Sequence, residues 1–129
     1  MRVLVVDDDD VAREALVTIL RSGGHDVLDL PSPIGVSRSI QEQGIEVVVI
    51  DIFLPGMKGD RLAKVLRGNP RFERVGVVLV SGDSAVDLQR LATEVGADAV
   101  TPKARAKTTL CRTVELAARR RGAVDKAPG

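Results

Sequence analysis

Tryptophan and tyrosine are absent from the chain and phenylalanine occurs twice. Stacking on bases or sugar rings therefore has almost no side chains to use. A single cysteine, Cys111, excludes an intrachain disulfide and a cysteine metal cluster, and it suits a reducing compartment. Neither sign of charge prevails, with 19 basic against 18 acidic residues and a formal charge of +1. No bulk field points to nucleic acid or to an anionic membrane, so any charge-based chemistry must be local. No apolar run reaches the roughly 18 residues of a membrane span. Met1-Arg2 leads into a predicted strand rather than a signal peptide, and a soluble, cytoplasmic protein without membrane association is the expectation. A length of 129 residues fits one domain with one core.

What the chain does have is a set of short, wholly apolar runs. Val47-Val48-Val49-Ile50 shows no polar alternation, which suits a strand buried on both faces of a parallel sheet, and it ends in Asp51. Pro55-Gly56 then turns the chain in a loop that arches over that carboxylate. Val3-Leu4-Val5-Val6 is a second such run and ends in Asp7, Asp8, Asp9 and Asp10. Val77-Val78-Leu79-Val80 is a third and ends at Ser81-Gly82-Asp83-Ser84. Val27 to Leu30 and Asp98 to Thr101 read as shorter strands, the latter followed by Pro102-Lys103.

Helical periods separate these strands. Val11, Ala12, Ala15, Leu16, Ile19 and Leu20 predict one apolar helical face, capped by Asp9 or Asp10 and ended by Gly23-Gly24. Ser32-Pro33 predicts a helix start with Pro at the first position, running to about Gly44. Leu62, Ala63, Val65 and Leu66 predict the inner face of the next helix, closed by Gly68-Asn69-Pro70. Leu88, Leu91, Ala92 and Val95 do the same up to Gly96, with Ser81, Asp83 or Ser84 as cap. Leu110, Val114 and Ala117 mark the last helix, where Arg119 to Arg121 suit the helix C-terminus. His25 falls in an exposed turn, and Cys111 reads as a small packed residue. Five strands alternating with five helices predict an α/β fold, a doubly wound five-stranded parallel sheet in three layers. Residues 1–121 form the expected domain, and residues 122–129, without apolar period, a flexible tail or the start of a linker.

The polar residues just beyond the strands make a constellation. In the strand order 2-1-3-4-5 the crevice opens between the first and third strands, at their carboxyl ends. Asp7, Asp8, Asp51, Ser81 and Lys103 all stand there, while the second strand, the far edge, offers nothing. Three carboxylates so close repel one another unless a cation is present, and an all-oxygen site with room for water suits Mg²⁺. An Asp beside a divalent ion, with a hydroxyl and an ammonium opposite, is a set of parts for phosphoryl transfer. Asp51 is then the nucleophile, Ser81 a hydrogen-bond donor to a phosphoryl oxygen and Lys103 a point charge on another.

Val5-Val6-Asp7-Asp8, the segment from Asp51 through Leu54-Pro55-Gly56-Met57 to Gly59, Ser81-Gly82, and the spacing from Gly96-Ala97 to Lys103 together resemble the receiver domain of two-component response regulators. The resemblance runs from Arg2 to Arg121. It implies a flavodoxin-like fold that accepts a phosphoryl group on Asp51 from a histidine kinase or phosphotransfer protein. Asp8 and Asp51 are then direct Mg²⁺ ligands, Asp7 acts through water, and the backbone carbonyl of Phe53 completes the protein ligands. Phosphorylation draws Ser81 and Gly82 inward and shifts the face of the last two helices and last strand. That face meets a downstream protein target or fused effector domain, or forms a homodimer. The family's aromatic three residues before the lysine is replaced here by Val100, and Pro102 precedes Lys103 while Ala104 follows it, with a trans peptide expected. Phe53 and Asp83 occupy the positions that tune phosphoryl lifetime.

Blander readings and rival functions are weighed against this one. Asp9 and Asp10 read as a cap and dipole-favoured acidic turn. Asp7-Asp8-Asp9-Asp10-Val11 also fits the nucleophile pattern of haloacid dehalogenase-type phosphatases, yet Asp51 and its Pro-Gly loop would then have no task. A receiver-like module that binds partners without phosphorylation is the third reading. No DNA-binding segment is present, so output is expected through protein contacts.

Overall fold

The apolar runs form five parallel strands in a computed structural model that describes residues 1–122. In chain order the elements are β1 (Arg2–Val6), α1 (Asp10–Ser22), β2 (Asp26–Leu30), α2 (Val36–Gln43), β3 (Val47–Asp51), α3 (Gly59–Arg67), β4 (Gly76–Ser81), α4 (Leu88–Val95), β5 (Ala99–Pro102) and α5 (Ala106–Arg120). Short 3₁₀ turns at Pro70–Phe72 and Lys103–Arg105 complete them. The sheet order is β2-β1-β3-β4-β5, as the alternating pattern predicts. Of the tail expected over residues 122–129, all but Gly122 lies outside the described residues.

Two-sided burial explains the lack of polar alternation. Leu4, Val6, Val48, Ile50, Val77 and Leu79 pack on one face with α2, α3 and α4. Val3, Val5, Val47, Val49, Val78 and Val80 pack on the other with α1 and α5. Each strand side chain thus removes most of its apolar area from water, worth about 1.5–3 kcal/mol for a fully buried Val, Leu or Ile.

Some helical details depart from expectation. The buried face of α1 is Leu16, Val17 and Leu20, whereas Val11 is 79% exposed and Ala15 is also exposed. Val11 lies in the first turn of α1, and the inward arc is taken up by later turns through Leu16, Val17 and Leu20. Helix α2 begins at Val36 instead of at Pro33, because Gly35 stands at φ +91° and breaks the helical run. Val65 is 52% exposed, since Leu62, Ala63 and Leu66 already fill the arc of α3 that meets the sheet. Asp9 caps α1 as expected, but α4 is capped by Asp87, with Ser81 at the end of β4 and Asp83 and Ser84 in the loop between. His25 is half-buried, its Nδ1 3.4 Å from the amino terminus, rather than exposed.

The last arginines stand at the C-terminus of α5 as expected, and two of them have a further role. Asp98, buried just before β5, accepts at Oδ2 from the Val77 N–H at 2.8 Å and at Oδ1 from Arg121 Nε at 2.8 Å. Arg120 Nη1 donates to the Asp98 carbonyl at 2.6 Å. The arginines therefore tie the end of α5 to the start of β5, and a buried acid decides their partners. Midway along α5, Thr101 Oγ1 donates to Thr113 Oγ1 at 2.7 Å, and Thr113 donates on to the Thr109 carbonyl at 2.8 Å. No described helix is long and apolar enough to cross a membrane.

Candidate functional site

Sheet register brings the carboxylates together. Val6 pairs with Ile50, so the next residues, Asp7 and Asp51, emerge side by side. Ser81 pairs with Pro102, which places Lys103 beyond the same edge. Asp7 is fully buried and Asp51 is 4% exposed, whereas Asp8 is exposed. One carboxylate oxygen from each of Asp7, Asp8 and Asp51 lies within 4.8 Å of the others.

Asp51 is held at both oxygens. Oδ1 accepts from the Phe53 N–H at 3.1 Å, and Oδ2 accepts from Lys103 Nζ at 3.0 Å. Burial raises the Asp51 pKa above the ordinary carboxylate value, and the negative charge of Asp7 adds to that. The Phe53 N–H and Lys103 oppose the rise without cancelling it. For Lys103 burial works to lower the pKa, yet the hydrogen bonds and charges of Asp7 and Asp51 outweigh it and the ammonium is held above its usual value. Both effects favour a proton in the site when no further cation is bound.

A divalent cation fits these residues on two observations. Three carboxylates against the single Lys103 ammonium leave two unbalanced negative charges. Lys103 Nζ is also shared with Asp7 Oδ2, which it approaches to 2.7 Å, so one ammonium serves two buried carboxylates. One ammonium shared between two buried carboxylates leaves both under-satisfied, and an oxygen-seeking cation such as Mg²⁺ would complete them.

Other expected residues surround this core. Ser81 is buried, and its Oγ accepts from the Asp83 N–H at 3.0 Å and donates weakly to the Asp83 carbonyl at 3.4 Å. Its hydroxyl is thus engaged by its own loop. Gly82 borders Lys103, since a Cβ there would stand 3.6 Å from Lys103 Cδ. Val100, with Val86, Leu88 and the stretch from Ser81 to Ser84, lines a cavity of about 350 Å³. Phe53 is half exposed beside Asp51, and no cis peptide occurs among the described residues.

Three functional contacts were not legible in the strand ends. Arg13 of α1 donates from Nη1 to the Asp7 carbonyl at 2.8 Å, from Nε to Asp29 Oδ2 at 2.8 Å and from Nη2 to Asp10 Oδ1 at 2.7 Å. Asp29 lies on β2, so the strand expected to offer nothing reaches the site through Arg13. A cation on the inner side of α1, one turn after an acidic run, is the signal that could have found it. Gly59 is the third, buried at the start of α3 against the Asp51 carbonyl.

The sequence model of the response regulator receiver domain matches residues 3–115. The transcriptional regulatory protein AruR of Pseudomonas aeruginosa is 37% identical over 102 residues, which cover 75% of this chain and 41% of AruR. The aerobic respiration control protein ArcA of Escherichia coli is 32% identical over 123 residues, covering 88% of this chain and 50% of ArcA. The chain thus spans half or less of the length of these two curated relatives. The BeF3-activated N-terminal receiver domain of Klebsiella pneumoniae RstA superposes with a TM-score of 0.80 at 25% identity, covering 92% of this chain and 99% of that one. With the sheet order, the acidic cluster and a match over most of its length, the chain belongs to the response regulator receiver domains of two-component signalling systems.

Proposed function

We propose that Asp51 accepts a phosphoryl group from a histidine kinase or phosphotransfer protein in a Mg²⁺-dependent reaction, within a domain spanning residues 1–121. The observation that carries this reading is the Asp51 carboxylate set between a lysine and two further carboxylates, with two negative charges left unbalanced. A carboxylate oxygen of Asp51 forms the new O–P bond as the N–P bond of phosphohistidine breaks, and that electron pair stays on the departing imidazole. Asp8 and Asp51 would hold the metal directly, Asp7 through water, with the Phe53 carbonyl completing the set. Bound Mg²⁺ supplies charge neutralisation between the incoming phosphoryl oxygens and the carboxylates.

Lys103 exchanges its hydrogen bond to Asp51 Oδ2 for one to a phosphoryl oxygen. Ser81 must give up its bonds within the Asp83 loop to donate to another, so the loop from Ser81 to Asp83 moves with the charge at Asp51. The face of α4, β5 and α5 lies directly behind that loop and meets the downstream target, a fused effector or a second copy. Val100 offers no aromatic ring to follow Ser81, so the adjoining cavity is the space through which the loop moves.

The test is intact-mass analysis after incubation with acetyl phosphate and Mg²⁺. A single phosphoryl adduct, lost with Asp51→Asn or with chelator, is expected. No adduct on folded protein would reject the phospho-switch and leave a phosphorylation-independent binding module. The same adduct persisting in Asp51→Asn would move the nucleophile to Asp7, as the phosphatase alternative requires.

A further inference from the structure

We propose that Arg13 is a positioning residue of the metal site: anchored by Asp29 on β2, it fixes the peptide plane between Asp7 and Asp8 and so aims the Asp8 carboxylate. This rests on the Mg²⁺ reading of the site. The Arg13 side chain is only 16% exposed and each of its three donor groups has an acceptor on a different segment: the Asp7 carbonyl after β1, Asp29 on β2 and Asp10 at the start of α1.

The peptide unit is planar, so the Asp7 carbonyl and the Asp8 N–H turn together. A hydrogen bond to that carbonyl sets the rotation of the plane, and with it the direction of the Asp8 side chain. Asp7 is already held elsewhere, by its N–H on the Leu30 carbonyl at 3.1 Å and by its Oδ1 on the Asp9 N–H at 3.0 Å. Asp8 has no side-chain hydrogen bond among the described residues. Its placement therefore depends on the plane that Arg13 holds.

Charge alone predicts the opposite effect. A guanidinium beside a cation site repels the cation, so a purely electrostatic role would mean that neutralising Arg13 tightens metal binding. A positioning role means that it weakens binding. Groups that orient metal ligands cost about 10- to 100-fold in affinity when removed. Lysine is no substitute for the fork, because one ammonium cannot reach three separated acceptors in fixed directions.

Isothermal titration of unphosphorylated protein with Mg²⁺, beside urea unfolding to verify the fold, decides the matter. Arg13→Gln and Arg13→Lys are both expected to weaken binding by about 10-fold or more. Unchanged or tighter binding in folded Arg13→Gln would overturn the proposal, as would wild-type affinity in Arg13→Lys. Where Arg13→Gln fails to fold, the charge-preserving Arg13→Lys carries the decision. Failure of the wild-type protein to bind Mg²⁺ at all would instead refute the metal reading on which the inference rests.

Discussion

Gly59→Ala tests how tightly Asp51, the proposed acceptor, is braced from behind. A Cβ at Gly59 would overlap the Asp51 carbonyl oxygen, and would lie 2.7 Å from its carbon and 2.8 Å from Ile50 Cγ2. Reaching even 3.0 Å from that carbon requires a shift of at least 0.3 Å (3.0 minus 2.7), and the oxygen requires more. Two of these atoms are backbone of β3, which pairs with β1 on one side and β4 on the other, so no side-chain rotation relieves the clash. Overpacking of this kind costs about 1–3 kcal/mol or somewhat more. Alanine's better helix propensity returns at most about 1 kcal/mol, and less at the first helical position. A net loss of about 2 kcal/mol is expected, which lowers the urea midpoint by roughly 1–2 M at ordinary denaturant slopes. Displacing Asp51 also slows its phosphorylation, by about 10- to 100-fold for a shift approaching an ångström. A urea midpoint at or above that of the wild type would refute the reasoning, because helix propensity would then have outweighed the clash.

Two further predictions follow from buried groups. Thr101→Val removes the 2.7 Å donor to Thr113 while keeping the shape, and is expected to cost about 1 kcal/mol in urea unfolding; no measurable loss would mean that the bond contributes nothing net. Because burial raises the Asp51 pKa, the folded chain binds that proton more tightly than the unfolded chain does. The resulting stability is complete below the ordinary carboxylate value of 3.8 and is lost as pH rises through the raised folded value. In metal-free buffer Asp51→Asn, which cannot ionise, should therefore gain stability relative to wild type as pH rises from 3.8 through the raised folded value. A stability difference that stays constant or reverses over that range would contradict the burial argument.

The sheet was legible because a strand covered on both faces is apolar at every position, and Val47 to Ile50 cannot be mistaken for a surface strand. Asp7 and Asp51 were legible because each interrupts such a run at its carboxyl end, and Lys103 because it directly follows the last short strand. Arg13 and Asp29 were not, since their meeting depends on the lateral register that sets Val5 opposite Asp29, and no single strand carries that information. Gly59 reads as an ordinary helix start until the Asp51 carbonyl is placed against it. The start of α2 was misplaced because Ser32-Pro33 is as good a turn as it is a helix opening, and only the positive φ of Gly35 separates the two. Val65 and Val11 were misassigned because a helical period marks an apolar arc without saying how wide a surface the sheet presents to it.

The ties between β5 and α5 have a mechanical consequence. Lys103 stands just past one end of the four-residue strand, and Asp98, clamped by Arg120 and Arg121, stands just before the other. Thr101 and Thr113 fasten the same strand to the middle of the helix. Strand and helix therefore form a single stiff lever, so any tug on the Lys103 ammonium that moves the backbone of β5 is delivered to the whole length of α5, down to its last turn.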